Sequence, residues 1–493
     1  MTLAIIAVYL AAVLVIGIFS HRFFRGTSED WFVAARTLGP FILLVSLFGA
    51  NMTAFSLLGA SGEAYMEGIG VFALMASSSA LVIPAVFFFV GTRVWALGKR
   101  RGYLSPVQLF RERWGSDALG LLIFVVQIGL LVPYLLIGVM GGGITLTQVT
   151  GGQVPDWVGG LVICVVVLAY TTYGGMRGTI WVNVFQTAVL MALGAIAFAV
   201  IVHKLGGLEA AMARVAASRP DMLVRGEHIQ PWKLLTYTCI PLSVGMFPHM
   251  FVHWLTARSA RAFRATLAFY PVCIAIVWVP SVVLGVLARP DFPHLNAAAA
   301  SSVLVKMIQL YAPGFLAGLL AAGVFAAIMN SFDSQVLSAG TMFTQDIVRH
   351  YGFHDRMSER QQILVGRLFI VGILIATYLL SLVTDRSIFK LGVWCFTGYA
   401  ALFPVVVAAL FWKRSTKWGA FASVLSVVVL WLYFVRVGWN SADYTIAGSG
   451  IMPVALMLAV STFAMIVGSL LTRPQEQAVL AKLFPAARSL APQ

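Results

Sequence analysis

Charge is scarce in this chain. Only 10% of its 493 residues are Asp, Glu, Lys or Arg, against about 25% in soluble globular domains, so an ordinary water-soluble multidomain protein is excluded. Acid is scarcer than base: 18 Asp and Glu stand against 33 Lys and Arg, a formal net charge of +15. The basic residues lie in short clusters between apolar runs, and no soluble domain carries a basic stripe, so nucleic acid is not an expected partner. Cysteine is nearly missing. Cys164, Cys239, Cys273 and Cys395 each sit in an apolar segment without metal-ligand spacing or a secreted context, and they read as small core residues. No linker or soluble accessory domain stands out, since the longest polar stretches, 206–230 and 289–312, read as ordinary interspan loops.

What the chain has instead is apolar length: 60% hydrophobic residues and a mean hydropathy of +0.91. This composition predicts an all-α polytopic membrane protein embedded in a lipid bilayer. Because about 20 apolar residues cross the hydrocarbon core, thirteen runs qualify: 2–21, 40–62, 70–95, 117–148, 157–173, 179–204, 231–254, 265–288, 313–340, 364–384, 388–411, 417–437 and 451–472. The first lacks a basic leader and reads as a retained span rather than a signal peptide. An N-terminus outside places Arg22, Arg25, Arg93, Lys99, Arg100, Arg101, Arg111, Arg113, Arg349, Arg356, Lys413 and Arg414 inside. It leaves far fewer basic residues, among them Lys204, Arg225, Arg289 and Arg386, on the opposite face. The expected location is therefore a bacterial-type plasma membrane, N-terminus out and C-terminus cytoplasmic. The whole chain, 1–493, reads as one membrane transport domain: a first span and loop (1–39), a core (40–411), and two further spans with a tail (412–493).

Two features point to function. The second run is interrupted by Gly49, Gly59 and Gly62, and the seventh, five runs later, by Pro241, Gly245 and Pro248. Paired interruptions are the mark of an inverted repeat whose broken helices expose backbone near the midplane, although Gly and Pro are also common in membrane helices at large. The second feature is the abrupt polarity of 330–335 inside an apolar run. A carboxylate at bilayer depth costs roughly 2.5–3.5 kcal/mol, so such a cluster is expected to serve an ion or solute. On a helix, Ala327, Ser331 and Ser334 share one face with Asn330 beside them, while Asp333 points elsewhere, toward an expected Arg or water path. An unwound segment from Gly49 to Met52 facing the Ser331 hydroxyl suits sodium, which takes hard oxygen donors. Serine and asparagine also pack membrane helices through interhelical hydrogen bonds, and for Ser331 both readings stand.

Several strings carry a resemblance. Tyr173-Gly-Gly-Met-Arg-Gly-Thr-Ile-Trp181, continuing to Asn183 and Gln186, is similar to a motif of the sodium:solute symporter family. So are Ala326-Ala-Ile-Met-Asn-Ser-Phe-Asp-Ser-Gln335, Thr344-Gln-Asp346, and the string Tyr103 to Gly115 after the third run. The resemblance implies a LeuT-type fold of five plus five inverted helices, runs two to six and seven to eleven. It implies a sodium site made by the backbone carbonyls of Gly49, Met52 and Ala327 with the side chains of Asn330 and Ser331. Asn330 departs from the family, which usually has a hydroxyl there; its amide oxygen remains a donor to sodium. Asn183 departs as well, because many members have an aspartate implicated in sodium exit, and this draws interest to Asp333. For the solute, the family likeness points to Phe55, Ser56, Gln127, Phe247 and His249. The string Gly245-Met-Phe-Pro-His-Met-Phe251 resembles that of monocarboxylate- and pantothenate-type members. His249 either donates to a solute carboxylate or caps the break of its own helix.

These observations together imply a sodium-coupled secondary active symporter for a small organic solute, a carboxylate by the His249 argument. It would work by alternating access, with no enzymatic chemistry and no cofactor besides Na+. A proton-coupled carrier of the same fold and a transporter-like membrane sensor are the alternatives.

Overall fold

The computed structural model describes residues 2–20, 28–226, 229–353, 357–384, 387–439 and 444–484. Arg22, Arg25, Arg356 and Arg386 of the charge argument lie outside the described residues. Among those described there is no β-strand, only one isolated bridge between Leu38 and Ala257. Among the described residues, ten helices are long and apolar enough to cross a membrane: α1 (Thr2–Phe19), α5 (Ala73–Arg101), α7 (Asp117–Val149), α8 (Asp156–Lys204), α12 (Ala260–Leu287), α14 (Gly314–Gly352), α15 (Arg360–Ser381), α16 (Ile388–Phe411), α17 (Lys417–Gly438) and α18 (Pro453–Leu470). Two further spans are broken. The pair α3 (Pro40–Asn51) and α4 (Phe55–Glu67) bends by 62°, and the pair α10 (Pro231–Gly245) and α11 (Pro248–Leu255) bends by 52°. Shorter helices α2 (Ser28–Val33), α6 (Pro106–Trp114), α9 (Leu208–Ser218) and α13 (Val303–Tyr311) connect the spans.

The thirteen apolar runs are accounted for once α8 is divided. Its 49 residues would extend roughly 74 Å as a straight helix at ~1.5 Å per residue, more than twice a ~30 Å hydrocarbon core. The division falls at Gly175, whose backbone is non-helical (φ 54°, ψ −154°). That positive φ suits glycine, and a Cβ there would also run into the buried Trp31 of α2. The string from Tyr173 to Trp181 is therefore a corner between two spans, and Arg177 fixes it by donating to Asp30 of α2 (Nε–Oδ1 3.1 Å).

The string Tyr103 to Gly115 folds as a capped helix. Ser105 accepts from the Gln108 amide at 3.3 Å, Pro106 occupies the first turn, and Gly115 closes the end in a left-handed conformation. Ser105 also donates to Asp346 Oδ1 (2.8 Å), and Arg113, fully buried, donates to the carbonyls of Ala409 (3.1 Å) and Trp412 (2.9 Å). These contacts gather α6, the end of α14 and the end of α16 at one pole of the bundle.

At the centre lies α14. In its most apolar window 83% of residues are buried, against 22% for α1 and 28% for α17. Helices α1, α3, α7, α8, α11 and α15 surround it, so its polar run faces protein on every side rather than lipid.

Candidate ion and solute sites between the broken helices

The first break is narrower than the sequence suggests. Gly49, Ala50 and Asn51 remain helical, and only Met52 and Thr53 leave the helix, Met52 in an extended conformation (φ −86°, ψ 119°). The Met52 amide still closes on the carbonyls of Phe48 (3.0 Å) and Gly49 (3.1 Å), which holds the last turn together. Beyond it the chain restarts through a local cap. Ser56 Oγ accepts from the Thr53 amide (3.0 Å) and donates to the Thr53 carbonyl (2.7 Å), while Thr53 Oγ1 accepts from the Phe55 amide (3.0 Å).

The second break, at Met246–Phe247, follows from Pro248. Proline disfavours helical backbone in the residue before it, and Phe247 is extended accordingly (φ −64°, ψ 122°). The carbonyl of Met246 is taken by another helix, since Gln127 Nε2 of α7 donates to it at 3.1 Å. His249 does not cap the break. Both of its ring nitrogens are buried without a hydrogen-bond partner among the described residues, and the ring stacks on Phe247 (5.2 Å, 18°).

On the ion side, α3 and α14 meet at Gly49. A Cβ there would collide with the side chains of Asn330 and Thr187, so glycine permits the approach. Asn330 Nδ2 donates to Thr187 Oγ1 (2.8 Å), leaving its oxygen beside Gly49. Ala327 and Ser331 lie one turn apart on α14, both buried. The structure thus joins Gly49 to Asn330 directly, sets Met52 at the break one residue past α3, and places Ala327 and Ser331 on the helix that carries Asn330.

Of the two partners expected for Asp333, an arginine or a water path, the arginine is not found among the described residues. No ion pair reaches it among the described residues; its carboxylate instead accepts from Tyr170 (2.8 Å) and Ser334 (3.0 Å). The Asn183 amide is best satisfied with its nitrogen toward Asp333 Oδ2 (2.9 Å) and Asn330 Oδ1 (3.0 Å). From α8, Asp333 meets Tyr170 and Asn183, while α7 packs on α14 through small residues, Gly138 against Phe332 and Gly141 against Ile328, and brings no arginine near. The position where many family members carry the acid, 183 on α8, therefore faces an acid carried by α14.

The solute candidates divide. Phe55, Ser56 and Phe247 line a cavity of about 40 Å³ between the two breaks, whereas Gln127 and His249 do not line it. Its walls include Tyr134 and Phe396, which contact Phe247 and each other at 5.0–5.5 Å between ring centroids. The Tyr237 hydroxyl and the Trp278 indole N–H belong to the same lining, and both are buried donors without a partner among the described residues. Sequence reading missed these four residues. An aromatic in an apolar span carries no signal of its own, and only Tyr237, a few residues from Pro241, lay near a recognised interruption.

The family model of the sodium:solute symporters matches residues 31–426. The chain belongs to that family. It is accordingly a transporter and not an enzyme, its coupling ion is sodium, and it is an integral protein of the plasma membrane. It is similar to the high-affinity proline transporter of Bacillus subtilis (strain 168), with 24% identity over 432 residues, 85% of this chain and 89% of the relative. It is also similar to a sodium/proline symporter of Haemophilus influenzae, with 25% identity over 513 residues, 96% of this chain and 95% of the relative. Among solved structures, a substrate-bound, outward-open Na+-coupled sialic acid symporter superposes with a TM-score of 0.79 at 18% identity, covering 97% of this chain and 99% of that one. A nucleobase-cation-symport-1 family transporter follows at 0.59 and 13%. The fold is the LeuT type, in which α3–α4 and α10–α11 open the two five-helix repeats.

Proposed function

We propose that this symporter imports a small, net-neutral organic solute bearing a carboxylate, an amino acid of proline's kind, together with sodium. The observation that carries the reading is the cavity between the two breaks. Its lining includes no ionised side chain but offers two unpartnered donors, the Tyr237 hydroxyl and the Trp278 N–H, beside aromatic walls. Donors without acceptors suit a carboxylate. A solute with uncompensated net charge would meet a heavy desolvation cost there, whereas a zwitterion with an apolar body matches both the rings and the donors in kind once the cavity of about 40 Å³ widens to admit it. The proline carriers among the relatives support the same class.

Sodium in this reading is held by the carbonyls of Gly49, Met52 and Ala327 with the Asn330 amide oxygen and the Ser331 hydroxyl. Asn183 and Asp333 act beside them, the Asp333 carboxylate supplying from α14 the negative charge that other members carry at position 183. Phe55, Ser56 and Phe247 face the solute, while Gln127 holds the Met246 carbonyl and His249 stacks on Phe247. Residues 40–411 form the transport core and 1–39 and 412–493 flank it. The N-terminus is outside, since Arg113, Arg93 and Lys413 gather at one pole of the bundle. At about 100 mV one sodium contributes ~2.3 kcal/mol and a tenfold gradient a further ~1.4 kcal/mol, enough for roughly 500-fold accumulation of a neutral solute.

The test is a thermal-shift screen of purified protein against amino acids, short organic acids and sugars, each with and without sodium. Stabilisation by proline or a similar amino acid that requires sodium is the expected result. Stabilisation by sugars alone would overturn the solute class.

A further inference from the structure

His253 of α11 is buried and uses both ring nitrogens. Nδ1 lies 3.1 Å from Ser46 Oγ of α3, and Nε2 lies 3.1 Å from Ser334 Oγ of α14. The one Ser334 hydroxyl proton is directed to Asp333 Oδ1 (3.0 Å) or to the Asn183 amide oxygen (3.0 Å), and in either case the Ser334 oxygen is left to accept. Nε2 then carries the ring proton, and Nδ1 accepts from Ser46. Ser46 precedes Gly49 by about one turn, and Ser334 follows Ser331 by about one turn. One imidazole therefore joins the two helices whose residues form the proposed sodium site.

We infer that His253 is a positioning residue for sodium: it sets the separation of α3 and α14 at the ion, and its bond to Ser334 has to open when those helices part in the transport cycle. This rests on the sodium ligands proposed above. The bridge needs one donor and one acceptor rather than charge, and a glutamine amide offers both.

The experiment measures solute uptake against sodium concentration, with melting temperature in sodium-free buffer as the record of folding. His253→Phe is expected to raise the sodium half-saturation roughly tenfold, the worth of about one net hydrogen bond. His253→Gln is expected to recover most of that shift, and Ser46→Ala, which cuts only the α3 end, to move it in the same direction by less. A sodium half-saturation equal to the parent's in His253→Phe overturns the inference, as does a Gln variant no better than Phe. If His253→Phe fails to fold, Ser46→Ala decides alone, and no shift there overturns it. Ser331→Ala, measured in parallel, separates the two ideas. If it also leaves the half-saturation unchanged, the ligand assignment has failed; if it shifts while the His253 and Ser46 variants do not, only the positioning role has.

Discussion

The two breaks are managed in opposite ways. At Met52–Thr53 the freed groups are satisfied within their own segment, by Ser56 and Thr53. At Met246–Phe247 the freed carbonyl depends on Gln127 from a different helix. The same contrast separates the regions beside them. Around Asp333, Tyr170, Asn183, Ser334 and His253 bond one another in a closed network, while the cavity keeps the Tyr237 and Trp278 donors without partners. A buried polar group without a partner costs about 1–3 kcal/mol, so its persistence in the cavity marks where a ligand is to be met. Completion in the network marks where helices are to be held.

The largest effect should come from overloading the network. Asn183→Asp, although it restores the usual family residue, would set a second carboxylate within hydrogen-bond distance of Asp333, since the amide nitrogen it replaces lies 2.9 Å from Oδ2. Repulsion of about 4 kcal/mol or more is expected at that range, seen as a lower yield and melting temperature, with recovery in the double variant Asn183→Asp/Asp333→Asn. A single variant as stable as the parent would show that the network absorbs charge as readily as the cavity absorbs a ligand.

Ser331→Ala comes next. Removing one oxygen from the ion should raise the sodium half-saturation roughly tenfold, ~1.4 kcal/mol, with the sodium-free melting temperature unchanged. Tyr237→Phe tests the cavity from the other direction. Its solute half-saturation should rise about fivefold, ~1 kcal/mol for one hydrogen bond, while sodium dependence measured at saturating solute stays put. A sodium shift there, or a solute shift confined to Ser331→Ala, would erase the division between the two regions.

The smallest effect is expected from His249→Gln. The ring lies behind Phe247 and outside the cavity lining, so uptake should change by less than about twofold and its pH profile between mildly acidic and neutral should match the parent's. A profile that flattens in the variant would return His249 to the solute site.

Much of this protein was legible in the sequence because the bilayer leaves few options. Only helices satisfy their own backbone there, so thirteen apolar runs gave the spans. The interruptions at Gly49–Gly62 and Pro241–Pro248 gave both broken helices, and the motif strings gave the family. The polar run at 330–335 announced a buried site because charge at that depth is costly wherever it faces. Which neighbour each polar atom meets was a different matter. That Asp333 faces Asn183 and Tyr170 instead of an arginine, that Gln127 rather than His249 takes the freed Met246 carbonyl, and that Tyr237 and Trp278 share a cavity with Phe55 depend on how helices distant in sequence rotate against one another. Periodicity fixes the faces of one helix, but the partner of a face is chosen by packing across the whole bundle, and that choice is written only in the tertiary structure.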